Sequence, residues 1–504
     1  MGTWGAAGLE VWTRDAEAAR RPLERSITSG DFLSSISSTT RPATGIPMTD
    51  LLFDDAFFDE RWPEVASGLA HVESSRSASQ LRGALQRISA DPNFHCVRAG
   101  RPDFEAVLDE LPEAEEFFSS ILPRIVGLAQ EAPKFKDKVV PILLQGRPST
   151  VAFTYSETAT LLALAFLGLL PNQGGTTSMS PLYFPKDGCA FPPNTEKLRC
   201  FLQYFRHVSE TIDAKGEIWI KRCCDDLGLM PEDLTTCPAP LCHCFVQNLR
   251  TPIYDSSASM HVDFANASVG GGIFLNAPGA TAQEEITFAT HPELSLATLL
   301  SASSPLSDDE VLLVRGARRF SRHAGFLDTF RCLGAVRQDE EAFSKDVIQI
   351  VIDARMYDGA GVGAPYRHDH LFQVEDAMRD LRKALCGFGA ARLSFPDRKV
   401  CATGNWGCGA FGGSPAVKLF VQWVAASLAG LQGLEYFPWD DTVLFEFLSS
   451  GEALECFSKT TVGQLWAAVV AAARMQLGLP NEAHRYKDDG SHFLRSVLGA
   501  VQAK

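Results

Sequence analysis

Residues 402–430 read ATGNWGCGAFGGSPAVKLFVQWVAASLAG, and this stretch decides the fold class. A strand-like approach feeds a glycine-rich loop, after which Ser414 is predicted to cap a helix that begins with Pro415. Amide N–H groups converge in such a loop and the helix dipole adds positive potential, so the segment is typical of a diphosphate cradle. No Gly-Lys-Ser/Thr follows, which excludes a Walker loop, and the pattern fits a dinucleotide oxidoreductase poorly.

Short β-rich runs surround this stretch in the second half of the chain, at residues 261–264, 311–314 and 347–352. They are separated by glycine-rich turns and helical segments. Such alternation predicts an α/β layered domain with a largely buried sheet. The last fifty or so residues return to a helical pattern, for example from Val462 to Leu477.

The first half of the chain has a mostly helical pattern. Leu198, Phe201, Leu202 and Phe205 follow the i, i+3, i+4, i+7 spacing of a buried helix face. The apolar run 161–170 is half a membrane span and predicts a buried helix. We therefore expect a flexible tail and linker at 1–49, a helical accessory domain at 50–225, an α/β core at 226–450 and C-terminal helices packing on it at 451–504.

Charge and cysteine usage narrow the function classes. The 504-residue chain has a net charge of −15, which argues against a groove that binds DNA through phosphate neutralisation. Its 13 cysteines have no repeating spacing, and no apolar secretory segment opens the chain. Reduced thiols in a nucleus or cytosol are the simplest interpretation. A zinc site among Cys237, Cys242, His243 and Cys244 is the alternative, although the usual Cys-x-x-Cys pairs are absent.

Two further pieces carry polar chemistry. VDFANASVGGG at 262–272 ends a predicted strand in a loop with Asp263 and Asn266, which offer hydrogen bonds to sugar hydroxyls. Gln283-Glu284-Glu285 places two carboxylates side by side, which are expected to point in different directions, one into a cleft. Taken alone, the glycine run would be a flexible turn and the glutamates an exposed helix start.

Together, DFAN, GGG, QEE and GNWGCGAFGG, in this order, resemble the signature of poly(ADP-ribose) glycohydrolases. Weaker resemblance extends over about residues 60 to 500 and includes FFSSILPRIVGLA, KLRCFLQYFRHV, IVIDARMY, ALCGF and TVGQLW. The resemblance implies an α/β fold in which a macrodomain-like mixed sheet is flanked by helices and joined to a mainly helical N-terminal accessory region. ADP-ribose would lie over the core sheet.

The resemblance also implies roles for individual residues. Glu285 matches the catalytic acid/base, and Glu284 matches the neighbouring carboxylate that anchors ribose hydroxyls. Asp263 and Asn266 match sugar-binding and loop-fixing positions. The remaining expected ADP-ribose contacts are Gly271, Gly272, Gln283, Phe326, Asn405, Gly407, Cys408, Gly409, Ala410, Phe411 and Trp439.

Four departures from the family pattern are visible. Ten residues, 273–282, separate GGG from QEE, where the family usually has fewer, so this loop is expected to bulge. Ser414 stands where an aspartate usually closes the diphosphate loop. Phe326 falls where a tyrosine usually covers adenine, and Trp439 falls near a position where a phenylalanine usually packs on the terminal ribose.

The implied reaction is hydrolysis of the ribose–ribose O-glycosidic bond, with one glutamate making both proton transfers and with no metal or cofactor. Amides of Gly270 to Gly272 and of the Gly407–Phe411 loop would hold the diphosphate. The implied partners are poly(ADP-ribose), ADP-ribose as product and poly(ADP-ribosyl)ated proteins, with no DNA or membrane and a monomeric chain. The alternatives are a non-catalytic ADP-ribose reader and a helical scaffold with an incidental glycine-rich loop.

Overall fold

The architecture is that of a single mixed sheet between two layers of helices. The computed structural model describes residues 52–53, 57–88, 106–109, 111–171, 178–183, 191–212, 215–224, 234–277, 279–357, 373–477 and 490–503. The expected tail at 1–49 lies outside these residues. The strands are β1 Ser149–Thr154, β2 Glu217–Cys224, β3 His243–Val246, β4 Met260–Ala265, β5 Glu310–Arg315, β6 Ser321–Ala324, β7 Arg331–Ala335, β8 Ile348–Asp353, β9 Val400–Gly404 and β10 Gly433–Phe437.

Eight of these strands form the sheet in the order β1-β2-β5-β8-β4-β9-β10-β3, while β6 and β7 form a separate antiparallel hairpin. From β1 to β8 neighbouring strands are antiparallel, and from β8 to β3 they are parallel. The three runs expected to be strands are confirmed as β4, β5 and β8. The parallel half brings several strand carboxyl ends to one edge.

Helices cover both faces of the sheet. They are α1 Trp62–Glu73, α2 Ala78–Ile88, α3 Leu122–Gln130, α4 Tyr155–Leu167, α5 Pro192–His207, α6 Gln283–Thr290, α7 Ser295–Ser301, α8 Val374–Ser394, α9 Pro415–Leu428, α10 Thr442–Ser449, α11 Gly451–Ser458, α12 Val462–Leu477 and α13 Ser491–Gln502. Shorter helical turns lie at Ala106–Asp109, Ala114–Glu116 and Glu341–Ser344.

Alternate residues of β5 show how the two layers share the sheet. Leu312 and Val314 belong to the core built with α1 to α7, whereas Val311 and Leu313 belong to the core built with α8, α9, α12 and α13. Because successive side chains of a strand point to opposite faces, both faces of β5 are buried. The helical N-terminal region and the C-terminal helices therefore enclose one sheet.

The mostly helical range 50–225 also contains two strands that the sequence analysis did not predict, β1 and β2, which extend the sheet next to β5. Arg222 of β2 is buried against Glu310 of β5, with one N–O separation of 2.6 Å. Its guanidinium also donates to the carbonyls of Leu143, Ser304 and Pro305. The accessory region is thus continuous with the core through its backbone and through a buried ion pair.

Candidate active site

The candidate site lies at the carboxyl ends of the parallel strands. Phe264 of β4 pairs with Ile352 of β8, and Gly404 of β9 pairs with Phe437 of β10, so these strands end at the same edge. In open α/β sheets, ligands bind in the crevice outside this edge. The expected site residues lie in or after β4, at the start of α6, after β6, after β9 or close to the end of β10, and the fold brings both glycine-rich segments to this edge.

Gln283, the first residue of α6, has its side chain committed to the backbone of β4. Its Oε1 accepts from the amide of Phe264 at 2.8 Å, and its Nε2 donates to the carbonyl of Val262 at 3.3 Å. The hydroxyl of Tyr254 donates to the Gln283 carbonyl at 3.0 Å. Gln283 therefore fixes α6 against the strand, a role that differs from the expected substrate contact.

Glu284 is buried and holds the loop that follows β4. Its two carboxylate oxygens accept from the amides of Asn266 at 2.9 Å and Gly270 at 2.6 Å. Burial raises the pKa of Glu284 well above its usual value, with further contributions from the charges of Asp263 and Glu285, while the two amides act in the opposite direction. The side chain of Asn266 in turn accepts from the amide of Ser268 at 2.9 Å.

Glu285 lies at the third position of α6, where its carboxylate accepts from two amides. Oε1 is 2.8 Å from the Gly272 nitrogen and Oε2 is 2.9 Å from the nitrogen of Ala282, the N-cap residue. The contact with Ala282 is one half of a capping box. QEE does begin a helix, as one interpretation of the sequence predicted. That interpretation also predicted exposed glutamates, whereas both are buried.

The two neighbouring carboxylates converge, although they were expected to diverge. A β-carbon built on Gly271 would lie 2.5 Å from Glu285 Oε1 and 2.6 Å from Glu284 Oε2. Gly271 also has a φ of +50°, which disfavours a side chain. The middle glycine of the GGG run thus leaves room for both carboxyl groups.

Asp263 is enclosed beneath these glutamates, with no exposed surface. Neither of its carboxylate oxygens has a hydrogen-bond partner within the described residues. Burial and the negative charge of Glu285 raise the pKa of Asp263 well above its usual value. A direct contact with a sugar would require the side chain to become accessible, and within the described residues its carboxylate makes no hydrogen bond that would fix the loop.

The loop between β9 and α9 is anchored by two side chains. Trp406 is fully buried, and its indole Nε1 donates to the carbonyl of Ile352 at 3.0 Å. Asn405 donates to the Pro438 carbonyl at 2.9 Å and accepts from the Tyr436 hydroxyl at 2.9 Å. Asn405 therefore ties the loop to the end of β10, and Trp406 was not among the residues selected from the sequence.

Several backbone amides of this loop donate no hydrogen bond within the described residues, so their N–H groups are available to a ligand. The amides of Gly407, Gly409, Ala410 and Phe411 donate no hydrogen bond within the described residues, whereas that of Cys408 donates to the Asn405 carbonyl. Ser414 caps α9 and Pro415 begins it, as predicted. A helix start with free amides before it is suited to bind a diphosphate.

Phe326 and Trp439 meet across the mouth of the site. Their ring centroids are 5.9 Å apart, and Trp439 is 38% exposed. Trp439 has a φ of +58°, and its carbonyl accepts from the amide of Arg250, whose φ is +62°. Positive φ values at non-glycine residues often accompany functional sites. The fold therefore brings together the two aromatic residues expected to cover adenine and ribose.

Neither a metal cluster nor a membrane span is found in the described part of the chain. It contains no group of three or more His, Cys, Asp or Glu side chains arranged to hold a metal ion. None of its helices is both long and apolar enough to cross a bilayer. Cys237 is buried, and Cys242 and Cys244 are partly buried free thiols.

Two family models match the chain in consecutive segments. Residues 110–222 match the helical domain of poly(ADP-ribose) glycohydrolase, and residues 232–446 match its catalytic domain of macro domain fold. The chain belongs to the poly(ADP-ribose) glycohydrolase family. Both models fit the architecture above, in which a helical region adjoins a mixed sheet.

Named relatives of the poly(ADP-ribose) glycohydrolase family cover much of the chain. Poly(ADP-ribose) glycohydrolase 1 of Arabidopsis thaliana is 23% identical over 525 residues, covering 82% of this chain and 90% of the relative. Poly(ADP-ribose) glycohydrolase 2 of Caenorhabditis elegans is 27% identical over 226 residues, covering 44% of this chain and 45% of the relative.

Solved poly(ADP-ribose) glycohydrolase structures are more distant. That of Thermomonospora curvata is 18% identical, with a TM-score of 0.27, and covers 50% of this chain and 87% of the bacterial one. That of Deinococcus radiodurans in complex with ADP-ribose is 18% identical, with a TM-score of 0.25, and covers 43% and 82%.

Proposed function

We propose that this chain hydrolyses the ribose–ribose O-glycosidic bonds of poly(ADP-ribose) and releases ADP-ribose, with Glu285 as its acid/base. The observation that carries this assignment is the position of Glu285. Its carboxylate is fixed by the amides of Gly272 and Ala282 at the sheet edge where the loop of free amides also lies. Family membership supports the substrate class, and the geometry supports the choice of Glu285 as the acid/base.

The chemistry needs one group that first gives and later takes a proton. Protonated Glu285 donates to the leaving ribose oxygen as the glycosidic bond breaks, and positive charge develops on the anomeric carbon. The carboxylate that remains stabilises this charge and then accepts a proton from the attacking water. Two amide hydrogen bonds hold the carboxylate in place, which lowers the entropic cost of reaching the reactive geometry.

The two glycine-rich segments have different proposed roles. The amides of Gly270 and Gly272 were expected to donate to the diphosphate. They instead donate to the carboxylates of Glu284 and Glu285. The diphosphate is assigned to the amides of Gly407, Gly409 and neighbouring residues. Phe326 and Trp439 stack on the adenine and the terminal ribose.

The partners follow from this reaction. Poly(ADP-ribose) attached to modified proteins is the substrate, and ADP-ribose is the product. The second candidate function, a reader that binds ADP-ribose without cutting the polymer, is favoured by the same free amides. It does not account for the buried, amide-fixed carboxylate of Glu285.

Matched glutamine variants test the assignment. Glu285→Gln keeps the size of the side chain but removes the proton transfer, so we expect kcat to fall by about 10³-fold or more while ADP-ribose affinity stays within about threefold. Glu284→Gln loosens the loop at Asn266 and Gly270, so it should weaken ADP-ribose binding as well as turnover. Turnover is measured as ADP-ribose released from poly(ADP-ribose), and affinity by calorimetry.

Two outcomes would contradict the assignment. If Glu284→Gln removes turnover with binding intact and Glu285→Gln does not, the roles of the two glutamates are reversed. If the wild-type chain binds ADP-ribose but releases none from the polymer, the reader function replaces the hydrolase.

A further inference from the structure

A buried lysine of the helical region contacts the loop that holds Glu285. Lys197 lies on α5, and the residue has no exposed surface. Its ammonium Nζ donates to the carbonyls of Gly272 at 2.7 Å, Ala280 at 2.8 Å and Leu275 at 3.0 Å. Because an ammonium group has three N–H donors, these three carbonyls use all of them.

The contacted carbonyls lie at both ends of the ten-residue spacer between GGG and QEE. Gly272 immediately precedes the spacer, and its amide donates to Glu285 Oε1. Ala280 lies two residues before Ala282, whose amide donates to Glu285 Oε2. Lys197 therefore joins the two backbone segments that determine where the Glu285 carboxylate lies.

The charge of Lys197 has no nearby carboxylate in direct contact. Lys383 and Lys418, which are equally buried, form ion pairs with Asp353 and Asp380, but Lys197 forms no ion pair within the described residues. Burial lowers the pKa of Lys197 to about 7, and the charge of Glu285 opposes this shift. Burying a charged ammonium group without a paired carboxylate costs free energy. A lysine at this position therefore suggests a specific role for its three hydrogen bonds.

We propose that Lys197 is a positioning residue for the reaction, which sets the geometry of Glu285 through the spacer loop without touching the substrate. This inference rests on the proposed hydrolase function. It gives α5 of the accessory region a part in positioning Glu285, because, apart from Glu285 itself, Lys197 is the only residue of the described chain whose side chain hydrogen-bonds near both ends of the spacer.

The competing interpretation is a purely structural pin, in which Lys197 stabilises the fold and has no effect on turnover by the folded molecule. Asn194, on the same helix, provides a matched control. Its Nδ2 donates to the carbonyl of Ala277 at 3.1 Å, in the middle of the same spacer and away from the amides that bind Glu285. A general loosening of the loop should follow from changing either residue, but displacement of Glu285 should follow only from changing Lys197.

The experiment compares Lys197→Met, Lys197→Gln and Asn194→Ala with the wild type, using the full chain. Methionine preserves the apolar stem, and glutamine keeps an amide that can still donate to part of the carbonyl set, so it serves if methionine prevents folding. ADP-ribose is included during purification because ligand binding stabilises the folded state. Melting temperature, ADP-ribose affinity, and kcat on poly(ADP-ribose) are measured for each variant.

We expect Lys197→Met to lower kcat by about 100-fold, since displacement of a reacting group by about 1 Å can have this effect. Lys197→Gln should lower kcat by about tenfold. ADP-ribose affinity should stay within about threefold, because the 407–411 loop is not disturbed. Asn194→Ala should lower the melting temperature while kcat stays within about threefold of the wild type.

A pH profile separates the two interpretations further. Glu285 is the one ionisable group of the described residues whose charge acts on Lys197. Only the ammonium form can satisfy all three carbonyls, so kcat of the wild type should show a fall near pH 7 in addition to the fall caused by deprotonation of the acid Glu285, and only this additional fall should be absent from Lys197→Met.

The inference is overturned if folded Lys197→Met and Lys197→Gln have wild-type kcat and an unchanged pH profile. It is also overturned if Asn194→Ala reduces kcat as much as Lys197→Met does. A wild-type chain that releases no ADP-ribose from the polymer would instead refute the proposed function, and that result is read from the wild type alone.

Discussion

The two glycine-rich segments of the site differ in what their backbone amides do. In the 270–272 run, the amides of Gly270 and Gly272 donate to the protein's own Glu284 and Glu285. In the 404–413 loop, the anchoring is done by Asn405 and Trp406, and several amides are left without partners in the described residues. Two glycine-rich segments of similar composition therefore differ in function: one fixes the glutamate carboxylates, and the other leaves amide donors for the proposed ligand.

The largest test of this difference exchanges a glycine for alanine in each segment. A β-carbon on Gly271 would lie 2.5 Å and 2.6 Å from the two carboxylates, at a φ of +50°, so Gly271→Ala must displace them. A β-carbon on Gly409 would meet nothing within 4 Å. We expect kcat on poly(ADP-ribose) to fall by about 100-fold or more for Gly271→Ala, whereas Gly409→Ala, in the loop assigned to the diphosphate, should weaken ADP-ribose binding more than it lowers kcat. Equal effects would remove the distinction between the segments.

A second test concerns affinity. Trp406→Phe leaves the buried carbonyl of Ile352 without its donor, and the loss of about 1–2 kcal/mol of loop anchoring should weaken ADP-ribose binding roughly tenfold with little change in kcat. Trp423→Phe is the matched control, because its indole also donates to a carbonyl, that of Cys242 at 2.8 Å, but away from the loop. Calorimetry should show weaker binding for Trp406→Phe alone. Similar affinity losses would mean that the anchor has no specific effect.

The smallest test uses pH and the carboxyl group beneath the first segment. Asp263 has a raised pKa because of its burial, so the folded chain holds a proton that the unfolded chain releases, and stability falls as the pH rises from the ordinary aspartate range toward the folded-state pKa. Asp263→Asn should therefore raise the melting temperature by a few degrees at pH 7 and by much less at pH 4. A melting temperature lowered at both values would show that the carboxyl group stabilises the fold.

Local sequence signals predicted much of this structure. The strand runs now seen as β4, β5 and β8 are confirmed, as are the Ser414 cap and the helix from Val462 to Leu477. These features depend on short-range periodicity and capping chemistry. The mixed sheet with a helical N-terminal region, implied by the family resemblance, is confirmed as well.

The features that were not predicted from the sequence depend on contacts between residues far apart in the chain. Strands β1 and β2 are defined by pairing with each other and with β5, about ninety residues beyond β2, and nothing local shows that pairing. The convergence of Glu284 and Glu285 was missed because their side chains fold back onto amides of a preceding loop, which the alternation of side-chain directions does not anticipate. Gln283 and Asn405 carry polar groups suited to a ligand, but these groups are hydrogen-bonded to backbone groups and, for Asn405, also to the Tyr436 hydroxyl.

The continuity of the sheet into the accessory region limits how the chain can be divided. A fragment beginning at residue 226 would lack β1 and β2, and the apolar strand Glu310–Arg315 would then form an open edge, which invites aggregation. The same cut would leave Glu310 as a buried charge without Arg222. Although the proposed reacting groups lie on the later segment, the earlier one covers this strand edge and pairs this charge, so we expect the later segment expressed alone to aggregate.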